Sequence, residues 1–175
     1  MNVHFMSEKD NWETPQKLFD LLNAEFGFTL DPCASAENAK CARFFTSKEN
    51  GLLQSWANEI VFMNPPYGRG IIGQWIAKAY QETEATVVCL LPSRTDTKWW
   101  HKFCMKASEI MLLTYRLEFV GSNNKAPFPA ALVVFNRGRA NTACTLTAFG
   151  VGGRVFNPLQ SFQIAEVSPA TIGGR

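Results

Sequence analysis

The run Glu59-Ile-Val-Phe-Met63 is apolar along almost its whole length and stops at Asn64-Pro65-Pro66-Tyr67-Gly68. An apolar run of this length without alternation is the pattern of a strand covered on both faces, and a proline pair cannot continue a hydrogen-bonded ladder. The segment therefore predicts a buried parallel strand that ends at a rigid turn. A strand of that kind needs helices above and below it, and the flanking chain has the periodicity to supply them. Pro15 to Phe26 places Leu18, Phe19, Leu21, Leu22 and Phe26 near 3.6-residue spacing, with Thr14 as the expected N-cap, Pro15 in the first turn and Gly27 as the stop. A second helix is predicted over about 71–82, with Ile71, Ile72, Trp75, Ile76 and Ala79 on one face, and a third over about 96–106, starting near Asp96. Further extended segments are Phe28–Leu30, running into Asp31-Pro32, then 86–91, stopped by Pro92, and finally 109–119 and 130–136.

Strands that alternate with helices imply crossover connections and a mostly parallel sheet, and the closing pair of extended segments implies an antiparallel strand at one edge. The expected fold is thus a doubly wound, three-layer α/β domain over residues 1–150. Residues 151–175, rich in glycine and poor in apolar periodicity, are expected to form a C-terminal tail, loosely ordered or packed on the core.

A length of 175 residues suits one domain, and 46% apolar against 18% charged residues places the chain among compact globular proteins rather than disordered ones. Its longest apolar runs fall well short of the roughly 20 residues that span a bilayer, so no membrane partner is expected. Met1 to Asp10 has no basic start followed by an apolar stretch, which argues against a secretory signal and for the cytoplasm. Five scattered cysteines without a Cys-x-x-Cys pair, and only two histidines, predict reduced thiols and no metal site. The net charge of +2 conceals a division. Residues 1–86 hold 7 Lys/Arg and 11 Asp/Glu, whereas residues 87–139 hold 8 and 3, with Trp99, Trp100, Phe103 and Tyr115 among the cations. A basic stretch with interleaved aromatic residues suits a phosphate backbone.

The turn after the apolar strand is chemically unusual. Each proline fixes φ near −65° and lacks an N–H, so the pair holds the backbone open and leaves carbonyl oxygens without local partners. Asn64 adds a side-chain acceptor and Tyr67 an aromatic face. A planar amine can donate two hydrogen bonds to such a turn while its ring stacks on the tyrosine. In open parallel sheets, ligands bind beyond the carboxyl ends of the strands where strand order reverses. Asp31-Pro-Cys-Ala-Ser35 and Asn64-Pro-Pro-Tyr67 both fall at predicted strand ends, which marks one shared crevice as the expected site.

Met63-Asn-Pro-Pro-Tyr67 resembles the catalytic motif of the amino-group methyltransferases that use S-adenosylmethionine, whose pattern is Asn/Asp-Pro-Pro-Tyr/Phe/Trp. The likeness extends to Trp12-Glu-Thr-Pro15, Leu30-Asp-Pro-Cys-Ala34, Asn38-Ala-Lys-Cys41, Gly51-Leu52 with Trp56, Leu90-Leu-Pro-Ser-Arg94, Asp96-Thr-Lys-Trp-Trp-His101, and Arg116-Leu-Glu-Phe119 with Ala126-Pro-Phe128. Together these resemble the phage-type (Dam-like) DNA N6-adenine methyltransferases over about residues 11–136. The resemblance implies a compact Rossmann-like fold that binds S-adenosylmethionine and methylates a flipped adenine of double-stranded DNA, in the cytoplasm of a bacterial host and encoded by a phage or prophage. It implies that Asn64 and the Pro65 carbonyl hold the adenine amino group, that Pro66 completes the turn and that Tyr67 stacks on the base. Asp31 would accept from the methionine ammonium group, Thr14 and Pro15 would line its carboxylate end, Trp12, Pro32, Cys33 and Ala34 would complete that wall with Asn64, and Asn50 would meet the cofactor's adenine.

The chain departs from the usual cofactor loop in having Asp-Pro-Cys-Ala-Ser where Gly-x-Gly is common, and the interval from Asp31 to Asn64 is too short for two further crossover units. It also leaves no room for a separate DNA-reading domain, so contacts are expected from Arg69, from Arg94, Lys98 and Trp99, and from Arg116, Lys125 and Phe128. Two other readings fit the turn: transfer to another planar amine, such as an RNA base or a glutamine amide, and a non-catalytic DNA-binding protein.

Overall fold

The computed structural model describes residues 12–138, 144–155 and the backbone of 162–163. In chain order it contains helix α1 (Gln16–Phe26), strands β1 (Leu30–Asp31), β2 (Arg43–Phe44) and β3 (Ile60–Met63), helix α2 (Ile72–Gln81) and strand β4 (Thr86–Pro92). There follow the short helix α3 (Lys98–Lys102) and strands β5 (Glu109–Leu113), β6 (Ala130–Phe135), β7 (Thr145–Gly150), β8 (Gly153–Val155) and β9 (Phe162–Gln163). One sheet joins all the strands in the order β2-β1-β3-β4-β6-β5-β7-β8, with β9 also pairing with β7.

The apolar run that opened the sequence reading is the parallel strand it predicts, with Val61 opposite Leu30 of β1 on one side and Val87 of β4 on the other. A helix covers each face. On one face α1 sets Phe19 edge-on to Phe62 at 5.2 Å, and Phe62 shares its side of the sheet with Val88 and Val134. On the other, Tyr80 of α2 meets Phe135 edge-on at 6.1 Å, and Phe135 lies in register with Val87 and Val61. Trp56, Val61, Met63, Ile76 and Val87 to Leu91 are fully buried between these layers. Helix α1 stops where expected: Gly27 is left-handed (φ 68°), a conformation that suits a residue without Cβ, and its N–H donates to the Asn23 carbonyl.

Four features differ from expectation. The antiparallel strand is internal, because β6 pairs antiparallel with both β4 and β5, and β5 continues the sheet through parallel β7. All six residues of β6 are buried, a pattern that suits a central strand better than an edge. The sheet is therefore parallel from β2 to β4 and mixed beyond. Thr14 does not cap α1; Pro15 occupies that position and no side-chain cap is made. The third helix is shorter than predicted and begins after Thr97 rather than Asp96. Only 109–113 of the extended segment 109–119 is strand, and 114–129 form a long irregular connection. Beyond residue 150, β8 and β9 both pair with β7, which joins those parts of the tail to the sheet.

Candidate active site

Strand order reverses at the β1/β3 junction. From β1 the chain moves outward to β2, then returns to the opposite side of β1 to form β3 and continues to β4. The carboxyl ends of β1 and β3 are therefore adjacent and parallel, and each ends in a motif singled out above: Asp31-Pro32-Cys33-Ala34 after one, Asn64-Pro65-Pro66-Tyr67 after the other. Connections diverging to opposite sides open a crevice at such a point. A cleft of about 290 Å³ lies there, lined by Trp12, Glu13, Thr14, Asp31, Cys33, Ala34, Asn38, Lys40, Phe62 and Asn64. A second cleft of about 300 Å³, lined by Pro32, Cys33, Ala34, Thr46, Ser47, Gly51, Pro66 and Trp75, shares the Cys33-Ala34 wall with the first.

Asp31 is 5% exposed. Its Oδ1 accepts from the Cys33 N–H at 3.4 Å and its Oδ2 from the Lys40 N–H at 3.2 Å. Burial outweighs these two donors and the Lys40 charge and raises the carboxyl pKa to about 6. A carboxylate so placed gains from any cation that reaches it. In the second cleft the backbone comes unusually close: a Cβ on Gly51 would lie 2.0 Å from the Pro32 carbonyl oxygen and 3.2 Å from the Trp75 ring. The Trp56 indole N–H donates to the Gly51 carbonyl at 3.0 Å and holds that approach. Beside it, Asn50 Oδ1 and Trp75 Nε1 are buried without a hydrogen-bond partner among the described residues. Trp75 lines this cleft and Asn50 precedes its Gly51 wall, so the orphaned donor and acceptor, each worth about 1–3 kcal/mol if left unmade, are available to a ligand there.

The Asn64 side chain is held on both sides. Its Nδ2 donates to the Trp12 carbonyl at 2.5 Å and to Thr14 Oγ1 at 2.9 Å. A carbonyl can only accept, so the amide nitrogen must face the Trp12–Thr14 segment and Oδ1 must face away. Tyr67 reinforces this, its hydroxyl proton shared between Asn64 Oδ1 at 2.8 Å and the Leu90 carbonyl at 3.1 Å. Burial pushes the Tyr67 phenol pKa well up and keeps it a neutral donor. Here lies the reason why Thr14 does not cap α1: its hydroxyl, buried at 2% exposure, is committed to Asn64.

Tyr67, expected to present a ring face, is buried instead. Phe119 and Phe128 meet it edge-on at 6.3 and 5.7 Å, and Trp12 packs on the same two rings at 5.1 and 5.2 Å. The Arg94 guanidinium donates to the Tyr67 carbonyl at 3.4 Å.

Of the residues expected at the site, Trp12, Thr14, Asp31, Pro32, Cys33, Ala34, Asn64, Pro66 and Tyr67 converge on this crevice, and Asn50 adjoins it. Pro15 lines a different groove, described below. Among the expected DNA contacts, Arg94 and Phe128 flank Tyr67. Arg69 and Lys98 are exposed, and half-buried Trp99 leans on Trp100 and Gly73. Arg116 and Lys125 are exposed and line a groove of about 800 Å³ with Pro15, Lys17, Leu18, Leu21, Tyr115 and Glu118. Lys40, Asn38 and Trp75 also line these clefts, without a sequence signal that marks them as site residues. Trp75 carried only the signal of a helix core position, and the other two sat in a motif without a role. Among the described residues no group of three or more His, Cys, Asp or Glu side chains is placed to hold a metal, and no helix is long and apolar enough to cross a membrane.

Comparison with known proteins agrees with these features. The family model described as DNA N-6-adenine-methyltransferase (Dam) matches residues 3–146. The DNA N-6-adenine-methyltransferase of Haemophilus phage HP1 (strain HP1c1) is 33% identical over 143 residues, which cover 74% of this chain and 80% of that protein. The DNA N-6-adenine-methyltransferase of Escherichia phage T1 is 34% identical over 107 residues, 59% of this chain, and this chain spans 44% of that protein's length.

Proposed function

The chain belongs to the DNA N-6-adenine-methyltransferase (Dam) family, and from that premise we propose that it moves a methyl group from S-adenosylmethionine to the N6 nitrogen of an adenine flipped out of duplex DNA, using the crevice between β1 and β3. The observation that carries this reading is the fixed amide of Asn64, whose acceptor oxygen is turned away from Trp12 and Thr14. Family membership sets aside the non-catalytic reading and the other amine substrates. The parallel β2-β1-β3-β4 half with its reversal point supports a compact Rossmann-like architecture.

The residues present fit the cofactor. Asp31 suits its ammonium group by a charge-assisted contact, and Trp12, Thr14, Cys33 and Ala34 wall the same cleft. The second cleft suits its adenine: Gly51 allows the close approach, Asn50 Oδ1 can accept from an amino group, and Trp75 Nε1 can donate to a ring nitrogen or hydroxyl. When bound, S-adenosylmethionine supplies an electrophilic sulfonium methyl for in-line displacement.

The target nitrogen is a poor nucleophile, because its lone pair is delocalised into the purine ring. Asn64 Oδ1 and the Pro65 carbonyl would accept its two hydrogens, which favours tetrahedral geometry and aims the lone pair at the methyl group. As the N–CH3 bond forms the S–CH3 bond breaks, its electron pair stays on sulfur to leave a neutral thioether, and one of the two N6 hydrogens departs as a proton to solvent. Catalysis then rests on positioning and electrostatics, with no covalent enzyme intermediate. Pro65 and Pro66, both buried, keep the turn open and rigid. Extruding the base costs a few kcal/mol, and stacking on an aromatic side chain returns about 1–3 kcal/mol per base. Trp12, Tyr67, Phe119 and Phe128 are the rings available, and those that cover Tyr67 must part to admit the purine. Arg94, which touches Tyr67, and the exposed Arg69 and Lys98, with Trp99, are assigned as contacts to the DNA backbone. The reaction belongs in the cytoplasm of a bacterial host, where DNA and cofactor meet.

Incubating the purified protein with S-adenosylmethionine labelled at its methyl group and with adenine-containing duplex DNA tests the reading. We expect label at adenine N6 and a drop of at least about 100-fold in Asn64→Ala. DNA that stays unlabelled with the unaltered protein overturns it.

A further inference from the structure

The connection 114–129 between β5 and β6 is longer than the roughly 12–15 residues that structureless loops in compact domains usually reach, and connections of that length are commonly functional. It is nonetheless well tied down. Val120 donates to the Glu13 carbonyl at 3.0 Å and Ala126 to the Leu117 carbonyl at 2.7 Å. Along 116–120 the side chains alternate: Leu117 and Phe119 are each 2% exposed and point into the core, whereas Arg116, Glu118 and Val120 are exposed. That is the period of an extended segment with one anchored and one presented face. The anchored face is the aromatic cluster on Tyr67, so the presented face is rigidly linked to the catalytic turn.

Arg116 and Glu118 line the 800 Å³ groove together with Lys17, Leu18 and Leu21 of α1 and with Lys125. Among the described residues none of Arg116, Glu118, Lys17 and Lys125 has an ion-pair or side-chain hydrogen-bond partner. Three cations would suit phosphates. Glu118 would not, since a carboxylate in a wall facing a phosphate backbone is repelled. A carboxylate facing a duplex is useful when it meets a base edge, where it accepts from an exocyclic amino group, and arginine is the matching donor to guanine O6 and N7. Cα atoms two apart in an extended segment are about 6.6 Å apart, close to two base steps at about 3.4 Å each.

We infer that the segment Arg116–Glu118 is the sequence-reading element of this protein, with Arg116 addressing a guanine and Glu118 a cytosine or adenine amino group in the duplex beside the target adenine, while Lys125 and Lys17 hold phosphates. This rests on the DNA-methylating reading above.

The test is methylation of a pool of duplexes with randomised bases around an adenine, scored site by site, for the unaltered protein and for Arg116→Ala, Glu118→Ala and Lys125→Ala. All three altered side chains are exposed, and thermal melting confirms that each variant folds. The unaltered protein is expected to prefer particular neighbouring bases. Arg116→Ala and Glu118→Ala should each lose about 5- to 150-fold of discrimination at one base position. Lys125→Ala should slow all sites alike and lower the salt slope of DNA binding by about 0.9. If no adenine is methylated by the unaltered protein, the catalytic reading falls and this inference with it. If methylation occurs without any sequence preference, or if Arg116→Ala and Glu118→Ala scale all sites by one common factor, the inference alone is overturned.

Discussion

The crevice between β1 and β3 and the connection 114–129 meet at the same rings and are built on opposite rules. In the crevice the two polar side chains central to the chemistry are held in place: Asn64 by Trp12, Thr14 and Tyr67, and Asp31 by the Cys33 and Lys40 amides. On the outer face of the connection, Arg116, Glu118 and Lys125 have no such partners among the described residues. A reaction that depends on a single lone pair needs groups held before the substrate arrives, because misplacement of about 1 Å can cost roughly 100-fold. Recognition of a long polymer needs charges still available to it. Substitutions in the crevice should therefore alter turnover, and those on the connection should alter which DNA is chosen.

The sharpest way to break this contrast is Asn64→Asp. A carboxylate would set a second oxygen against the Trp12 carbonyl, now 2.5 Å from the amide nitrogen, so kcat should fall about 100- to 1000-fold although Asp occurs in the general motif. Near-normal turnover in Asn64→Asp, measured with saturating DNA and cofactor, would show that the amide orientation is unimportant. Gly51→Ala comes next. Its Cβ would lie 2.0 Å from the Pro32 oxygen, and overpacking of this kind costs about 1–3 kcal/mol or more, visible as a lower Tm and weaker calorimetric cofactor binding. An unchanged Tm would mean that the two backbone segments part freely.

Thr14→Val keeps the shape and removes the acceptor for one Asn64 N–H. It should lower kcat with little change in KM for DNA, by about 1–3 kcal/mol of transition-state stabilisation, and Thr14→Ser should restore most of it. If serine does not rescue, Thr14 acts through packing instead.

The pH dependence is a smaller effect. Burial raises the Asp31 pKa from 3.8 to about 6, so the folded protein retains a proton that the unfolded chain releases. That contribution to stability is fully present below pH 3.8 and is lost as pH rises through about 6. Cofactor affinity should run the other way, since an ammonium group needs the carboxylate, and should be about tenfold weaker at pH 5 than at pH 8. Asp31→Asn should flatten both profiles in calorimetry. Smallest of all, Lys17→Ala should weaken DNA binding by about 1 kcal/mol or less, as loss of one exposed charge does, with site choice unchanged in the methylation pool.

Legibility followed distance along the chain. Helix α1, strands β1, β3 and β4, and the two strand-end motifs announce themselves through spacing and through Asp31-Pro32, Asn64-Pro65 and Pro92, all local signals. Strand β2 has two residues and exists only through its register with β1, and β7 is half-buried with no strong alternation, so neither stands out in the sequence. Without a signal for β7 and β8, the sequence places the antiparallel pair β5/β6 at an edge, whereas β7 and β8 continue the sheet beyond β5. In the crevice, Asp31 and Asn64 were visible, whereas the ties from Asn64 to Trp12 and Thr14 span 52 and 50 positions and no spacing rule announces them.

What the sequence determined by itself was the chemistry available at two strand ends, since proline geometry, side-chain functional groups and apolar periodicity are properties of neighbouring residues. Tertiary structure alone decided which way the Asn64 amide points, that Thr14 serves that amide rather than α1, that Gly51 lets two backbones touch, and that Phe119 of the long connection packs against Tyr67. These are contacts between residues far apart in the chain, and only the packing of helices on both faces of one sheet brings them together.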